Sequence, residues 1–449
     1  MGGAAGHMAH LHEDLDLTFT ELISIINQVA SADIEVTEKV DGQNLFLSAR
    51  EQISLTVDEF GAIEIRTARN PTDIRRGGMT TDEYAAKWQG HPAEDAFMKG
   101  FQAIRMAIDS LSTEDVIDIF DGGESYVNME IMYPGNPNII NYGASYVVLH
   151  GLVPQSAESS EAFERLSSKL NAAQVEVDGE TWSIYGPQII PLQNIANRQA
   201  HKDAISKIQE IADASVGMES SLGELAKAEY LKIILMTGLD EEVAKNLTDI
   251  VFEYELHPDR HDKEKNKALR KIRTGKYNQL KKSLTSEEKQ IASRVATFGA
   301  SKSVISSTLR ELEAVISDFA IEVLRGLKSF FAVDHEGAIR EIRDELEESI
   351  EFLRDLAASG DEKMGQLVDR QLSKLGNIEN VASSLEGIVF EHGGKIYKMT
   401  GAFAMANQII GRARRSKPAQ ETTVSEAKIR KMVRESITRT YLTMLKNIK

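Results

Sequence analysis

Hydrophobic and polar positions along the chain follow three successive regimes. Between residues 15 and 30, Leu17, Leu22, Ile25, Ile26 and Val29 recur at the spacing of one helical face. From residue 34 the period drops to two. Segments 34–36, 45–48, 53–57 and 62–66 alternate as strands do, with turn residues between them, and predict an antiparallel meander. A helix is predicted over 95–111 and strands over 126–132 and 145–153. Asp178-Gly179, between 175–177 and 181–184, predicts a hairpin turn. From 194 to 375 the strand signal gives way to helical periodicity, as in 204–214, 222–236, 241–254, 304–331 and 339–356, without a fixed repeat. Strands then resume over 387–390 and 395–399 around Gly393-Gly394, and a basic amphipathic helix is predicted over 424–447.

This order predicts an α+β fold: an antiparallel, β-rich domain interrupted by a large all-helical insertion and followed by a helical C-terminal tail. The expected boundaries are 9–193 for the first part of the β-rich domain, 194–378 for the insert, 379–411 for the completion of the domain and 412–449 for the basic tail. Residues 1–8, Met-Gly-Gly-Ala-Ala-Gly-His-Met, read as an expression remnant, with the native protein beginning near Met8.

Composition narrows the chemistry. A chain of 449 residues with 42% hydrophobic and 27% charged residues has the profile of a globular protein large enough for two or three domains. No apolar run reaches bilayer length and no signal-peptide pattern is present, so the expected location is cytoplasmic, without a membrane partner. With no cysteine, disulfides, thiolate metal sites and cysteine nucleophiles are excluded. A net charge of −17 argues against a protein that coats nucleic acid nonspecifically, and leaves such contacts to local basic patches. Two stretches qualify: 263–282, with Lys265, Lys267, Arg270, Lys271, Arg273, Lys276 and Lys281, and the segment from Arg412 onward. For each, a solvated helix face is the simpler explanation.

Candidate chemistry concentrates around Lys39-Val40-Asp41-Gly42, at the end of the first strand. By itself this is also what a charged strand end followed by a turn glycine gives. Three further stretches follow in order: Glu130 in strand 126–132 ahead of the Gly/Pro loop 133–137, Glu386 at the start of strand 387–390, and Lys395 and Lys398 on the returning strand. Phosphoryl chemistry needs this assortment. An α-phosphate under attack gathers negative charge, which cations and a metal must surround while an unprotonated amine approaches in line. Lys395, Lys398 and a divalent metal are expected to lower the Lys39 pKa. Glu386 is suited to Mg²⁺ or Mn²⁺, a hard cation that prefers carboxylate oxygen, and Glu130 to a ribose hydroxyl.

These motifs resemble those of the covalent nucleotidyltransferases, the superfamily of polynucleotide ligases and mRNA capping enzymes. Lys39-Val40-Asp41-Gly42 matches the K-x-D-G of motif I, Glu386-Gly387-Ile388-Val389 the E-G-x-V of motif IV, and strand 395–399 the lysine-bearing motif V. Thr37-Glu38-Lys39-Val40-Asp41-Gly42-Gln43-Asn44 is most similar to the RNA ligases of phages and RNA-editing systems. The resemblance covers residues 30–155 and 380–402, about a third of the chain. It implies an adenylation domain that uses ATP with Mg²⁺ or Mn²⁺, with Lys39 as the site of covalent AMP attachment and Glu386 as the metal-linked carboxylate. It further implies nucleotide contacts from Glu38, Asp41, Gly42, Arg66, Arg69, Glu130, Lys395 and Lys398, and stacking of adenine on Tyr146. The implied partner is a nucleic acid with 5′-phosphate and 3′-hydroxyl ends, RNA before DNA. A viral source, and hence host cytoplasm, is implied as well.

The chain departs from the family pattern in two places. Motif V usually carries lysines two apart, whereas Thr400 follows Lys398 at that distance and Lys395 lies three before it. Only about fifty residues follow motif V, too few and too helical for the OB domain of DNA ligases and capping enzymes. Two other functions remain open: AMP transfer to a protein or small molecule, and a binding or assembly protein whose helical insert contacts a protein partner. His257 and His261 have the spacing of a metal pair, but Pro258 interrupts any helix through them. His392 reads as a surface residue and Gly122-Gly123 as a turn.

Overall fold

Two sheets carry the fold, and the chain passes from one to the other immediately after Lys39. The computed structural model describes residues 8–51, 63–154, 156–192, 198–257, 263–295 and 307–416. The first part comprises β1 (Ala9–His10), α1 (Phe19–Ser31), β2 (Val36–Lys39), β3 (Gln43–Glu51), β4 (Ile63–Ala68), α2 (Pro71–Arg75), α3 (Thr81–Trp88), α4 (Glu94–Ile108) and α5 (Thr113–Ile119). Next come β5 (Tyr126–Met132), β6 (Ser145–Val153), α6 (Ala157–Leu170), β7 (Ala173–Val177), β8 (Glu180–Tyr185) and β9 (Ile189–Ile190). The helical stretch contains α7 (Arg198–Ser215), α8 (Leu222–Leu235), α9 (Glu241–Glu255), α10 (Lys263–Ser283), α11 (Ser286–Val295), α12 (Arg310–Arg325), α13 (His335–Ala358) and α14 (Glu362–Leu375). Strands β10 (Gly387–His392) and β11 (Lys395–Met399) and helix α15 (Phe403–Ser416) follow.

Local rules account for the clearest elements. Helix α1 opens on a Thr18/Glu21 capping box, buries Phe19, Leu22, Ile25, Ile26 and Val29 along one stripe and ends where Ala32 turns left-handed at φ 59°. Burying each of those side chains contributes roughly 1.5–3 kcal/mol. The β7–β8 hairpin turns at Asp178 (φ 53°) and Gly179 (φ 79°), the two positive angles of a type I′ turn.

The predicted meander is not one sheet. Strand order is β1-β11-β10-β2-β9 in a five-stranded sheet and β4-β3-β5-β6-β8-β7 in a six-stranded one, so β2 parts from β3 and β4. Local alternation specifies which residues share a face but not which strands pair, and β2 finds its partners far along the chain, with Gly387 opposite Lys39. Most pairings are antiparallel. Exceptions are β1 with β11, and β6 with β8, between which α6 and β7 intervene in the chain. The predicted strand 53–57, the helix 424–447, His261 and residues 1–7 lie outside the described residues.

One core joins the back of the five-stranded sheet (Val36, Ile388, Phe390, Tyr397, Met399) to α1, α7, α8, α9 and α12. A second fills the space between the six-stranded sheet and α3 to α6. A third gathers α13, α14 and α15 around Val40, Tyr142, Val148 and Phe331. The helices between β9 and β10 therefore share their cores with the β-rich part rather than forming a separately cored body. The helix predicted over 304–331 is shorter in the structure. Helix α12 stops at Arg325 with Gly326 as its C-cap, and residues 326–334 run as an irregular loop toward the sheets. No helix among the described residues is long and apolar enough to cross a membrane.

Candidate active site

Lys39 closes β2, and Val40-Asp41-Gly42 carries the chain across to β3 in the other sheet. The crossing is tight. A Cβ on Gly42 would stand 2.9 Å from the Ile131 carbonyl oxygen and 3.0 Å from Glu130 Cβ. Asp41 holds the crossing in place: its Oδ1 accepts from Asn138 Nδ2 (2.6 Å), and its Oδ2 from the backbone N–H groups of Ile139 (2.7 Å) and Ile140 (2.9 Å). The Asp41 N–H in turn donates to Tyr142 Oη at 2.7 Å. Asp41 is thus a bracket between the β2–β3 crossing and the β5–β6 loop, with both oxygens occupied.

Two acids from distant parts of the chain meet at this crossing. Glu386, just before β10, lies 2.5 Å from Lys39 Nζ, and the two side chains are 12% and 13% exposed, so the pair is sheltered yet reachable. Glu386 is placed by the pairing of Gly387 with Lys39, and a Cβ at Gly387 would come within 2.4 Å of the Met399 carbonyl oxygen. Glu130, on β5, accepts from the Gly42 N–H at 3.2 Å.

Burial pushes the Glu130 carboxyl up to about 7 and the Glu386 carboxyl up to about 8, against the pull of Lys39. Burial alone would lower Lys39, but Glu386, Glu130 and Asp41 outweigh it and hold the ammonium above its ordinary value. The expectation that Lys395 and Lys398 depress Lys39 is therefore reversed in this arrangement. Lys398 is the amine that is lowered, first by burial and then by Lys39. It lies on the Lys39 face of the sheet, in a register row with His10, Val389 and Thr37.

The structure separates several residues that the motifs grouped together. Lys395 lies on the opposite face from Lys398, as an odd spacing in a strand requires, and pairs with Asp14 at 2.8 Å. Glu38 likewise faces away from Lys39, where Ser329 Oγ and the Phe330 N–H (2.8 Å) donate to its carboxylate. Arg66 shares the Glu130 face of the six-stranded sheet but is ion-paired with Glu64 at 2.6 Å. Arg69 turns to the helix side, its guanidinium 4.6 Å from the centre of Phe97 and 5.5 Å from that of Trp88. Tyr146 lies opposite Met132, two register positions from Glu130, and packs on Phe331, ring centres 4.9 Å apart. Thr400, at the family's second lysine position, is buried.

Sequence patterns did not point to Asn138, Tyr142, His10 or His150. His150 lies beside the irregularity in the β5–β6 pairing and is pushed down to about 4 by burial and then by Lys39. The sequence Asn138-Ile139-Ile140-Asn141-Tyr142 follows a Gly/Pro loop without periodicity, so its role as the seat of Asp41 had no local signal. Gly122 (φ 59°) and Gly123 (φ 104°) form a turn, as expected.

Among the described residues, no group of three or more His, Asp or Glu side chains is arranged to hold a metal ion. With Asp41 saturated, Glu386 and Glu130 are the carboxylates available to one. One or two carboxylates, completed by water and substrate phosphates, are the ligand set by which Mg²⁺ is usually held. No protein-family model, curated protein or solved structure matches the chain.

The raised carboxyls give stability a definite pH dependence. Glu38, Glu130 and Glu386 are held at about 7, 7 and 8 against an ordinary 4.5. A carboxyl raised in the native state stabilises fully below its unfolded value, and that contribution is lost as pH rises through its folded value. The depressed histidines His10 and His150 act with opposite sign, but their effect is complete near their ordinary value of 6.5. Thermal melts in a buffer series should therefore show Tm falling between about pH 6.5 and about pH 8.5. The fall should be smaller in Glu130→Gln.

Proposed function

We propose that the chain is an ATP-dependent polynucleotide ligase, acting on RNA in preference to DNA through a lysyl-AMP intermediate. The observation that carries this is the meeting of Lys39, Glu130 and Glu386 at the crossing between two sheets, in the motif order of the covalent nucleotidyltransferases. Lys39 Nζ, aimed by β2 and hydrogen-bonded to Glu386, is the nucleophile. Glu386, which burial makes basic for a carboxylate, takes the Nζ proton, so that a neutral amine attacks the α-phosphorus. A phosphoramidate P–N bond forms and the bond to the pyrophosphate oxygen breaks. Lys398, on the same face, supplies positive charge toward the phosphates, and Glu130 is placed to accept from a ribose hydroxyl. A divalent metal held at Glu386 would add charge neutralisation at the α-phosphate.

In the second step an oxygen of a 5′-phosphate attacks the lysyl-AMP phosphorus and the P–N bond breaks, with a proton returning to Nζ. In the third a 3′-hydroxyl attacks the activated 5′-phosphorus and AMP leaves. The strand itself requires basic surface, and α10 offers it: Arg273 and Lys276 pair with Glu255 and Glu253 of α9, while Lys267 and Lys271 are exposed.

The test is incubation with α-labelled ATP and Mg²⁺, followed by 5′-phosphorylated RNA or DNA, nicked or single-stranded. Label should become covalently attached to the protein and pass to RNA ends with strand joining. Absence of label overturns the enzyme reading. Label without joining on any strand points instead to a different acceptor.

A further inference from the structure

The loop 326–334 enters the sheets beside Lys39 and carries three groups with it. Ser329 Oγ and the Phe330 N–H donate to the two oxygens of Glu38, the residue next to the nucleophile. The Phe331 ring, 2% exposed, is delivered into a cage of tyrosines: Tyr146, Tyr185 and Tyr142, with ring centres 4.9, 5.6 and 6.3 Å away. The cage is tied to the site. Tyr142 accepts the Asp41 N–H, Val148 lies opposite Glu130 in the β5–β6 register with Tyr185 opposite it on β8, Tyr146 lies two positions along from Val148, and Val40 follows Lys39. The loop's rim is solvent-facing, with Phe330 55% and Val333 81% exposed.

A flat aromatic ring enclosed by tyrosines, edge-on to Tyr142 and Tyr185 and tilted against Tyr146, with N–H and O–H donors presented to one carboxylate, fills a space and meets an acceptor suited to a purine with an exocyclic amine. We propose that loop 326–334 occupies the base subsite of the nucleotide in cis, with Phe331 in place of the purine ring and the Ser329 and Phe330 donors in place of its amine. Nucleotide binding then requires the loop to withdraw. The proposal rests on the reading of Lys39 as the nucleotidyl acceptor and adds to it a gate: the nucleotide competes with a segment of the helical region, and whatever draws the loop away raises its affinity. A base-site wall formed by Phe331 is the opposing possibility, and the two predict opposite signs.

The experiment compares wild type, Phe331→Ala and Ser329→Ala as full chains. Affinity for the non-hydrolysable analogue α,β-methylene-ATP is read by calorimetry, covalent labelling by α-labelled ATP, and hydrogen exchange over 326–334 with and without the analogue. Expected are tighter analogue binding in Phe331→Ala, on the order of tenfold, and a smaller gain in Ser329→Ala, because a closed fraction no longer taxes the apparent Kd. Faster exchange of the wild-type loop when the analogue is bound is expected as well. Ser329→Ala and the wild-type exchange keep the test decisive if Phe331→Ala does not fold. Weaker or unchanged analogue affinity in the folded variants, or slower loop exchange on binding, overturns the gate. In that case covalent labelling of wild type leaves the assignment of Lys39 standing. Neither binding nor labelling in any of the three proteins overturns both.

Discussion

Replacing Lys39 with alanine is expected to abolish covalent labelling by α-labelled ATP, a loss of roughly 10⁴-fold or more, since the amine beside Glu386 that bonds the α-phosphorus is removed. The fold should survive the change. Lys39 is sheltered but not fully enclosed, and the Glu386 and Glu130 carboxyls, held at about 8 and 7 even against the pull of the ammonium, can take up protons when it is gone. Lys39→Arg is the sharper comparison: it keeps the cation beside Glu386, so Tm should stay close to wild type, while label is still lost. Gel detection of the labelled protein together with a thermal melt separates the two readouts. Label that persists in either variant would move the attachment site elsewhere and sink the assignment.

Asp41→Ala should give the largest loss of stability, about 3–5 kcal/mol by urea denaturation, because it strands several buried donors at once. The N–H groups of Ile139 and Ile140 and the Asn138 amide all lose their acceptor, and the β2–β3 crossing loses its tie to the β5–β6 loop. Asp41→Asn should fall between: its amide oxygen can serve one side of the bracket, while its NH₂ meets donors on the other. A loss under about 1 kcal/mol in Asp41→Ala would show that the bracket is not what holds the crossing. The same substitution moves Lys39 with it, so labelling should fall in proportion to the displaced geometry rather than to any direct contact of Asp41 with nucleotide.

What the sequence revealed divides along physical lines. The strands around Lys39, Glu130 and Lys398 were legible because a half-buried strand alternates. The same period of two already placed Lys395 and Glu38 on the faces opposite Lys398 and Lys39, since an odd spacing reverses a side chain. Motif matching grouped them by proximity in sequence and so obscured this. Sheet membership of β2 was not legible, because its partners β9 and β10 are chosen by long-range pairing. Phe331 continued a helical pattern, and only the tertiary pull of the tyrosine cage and the break at Gly326 take it out of α12. Asn138 and Tyr142 act through single contacts to Asp41, which leave no periodic trace.

The separation of β2 from its sheet partners also matters while the protein is being made. Thr37 and Val389 are neighbours in the sheet yet 352 residues apart in the chain. At ribosomal speeds of roughly 5–20 residues per second, β2, with only the two-residue β9 to pair with in the meantime, waits about 20–70 s for β10 on its other edge. During that interval Lys39 has no Glu386 beside it, and the crossing stays without its ion pair until β10 has been made. An unpaired strand is also an invitation to aggregate, and charged side chains are the usual deterrent. Glu38 and Lys39 sit at the end of that strand, so the carboxylate that later anchors loop 326–334 and the ammonium that later pairs with Glu386 first serve as guards of a nascent edge.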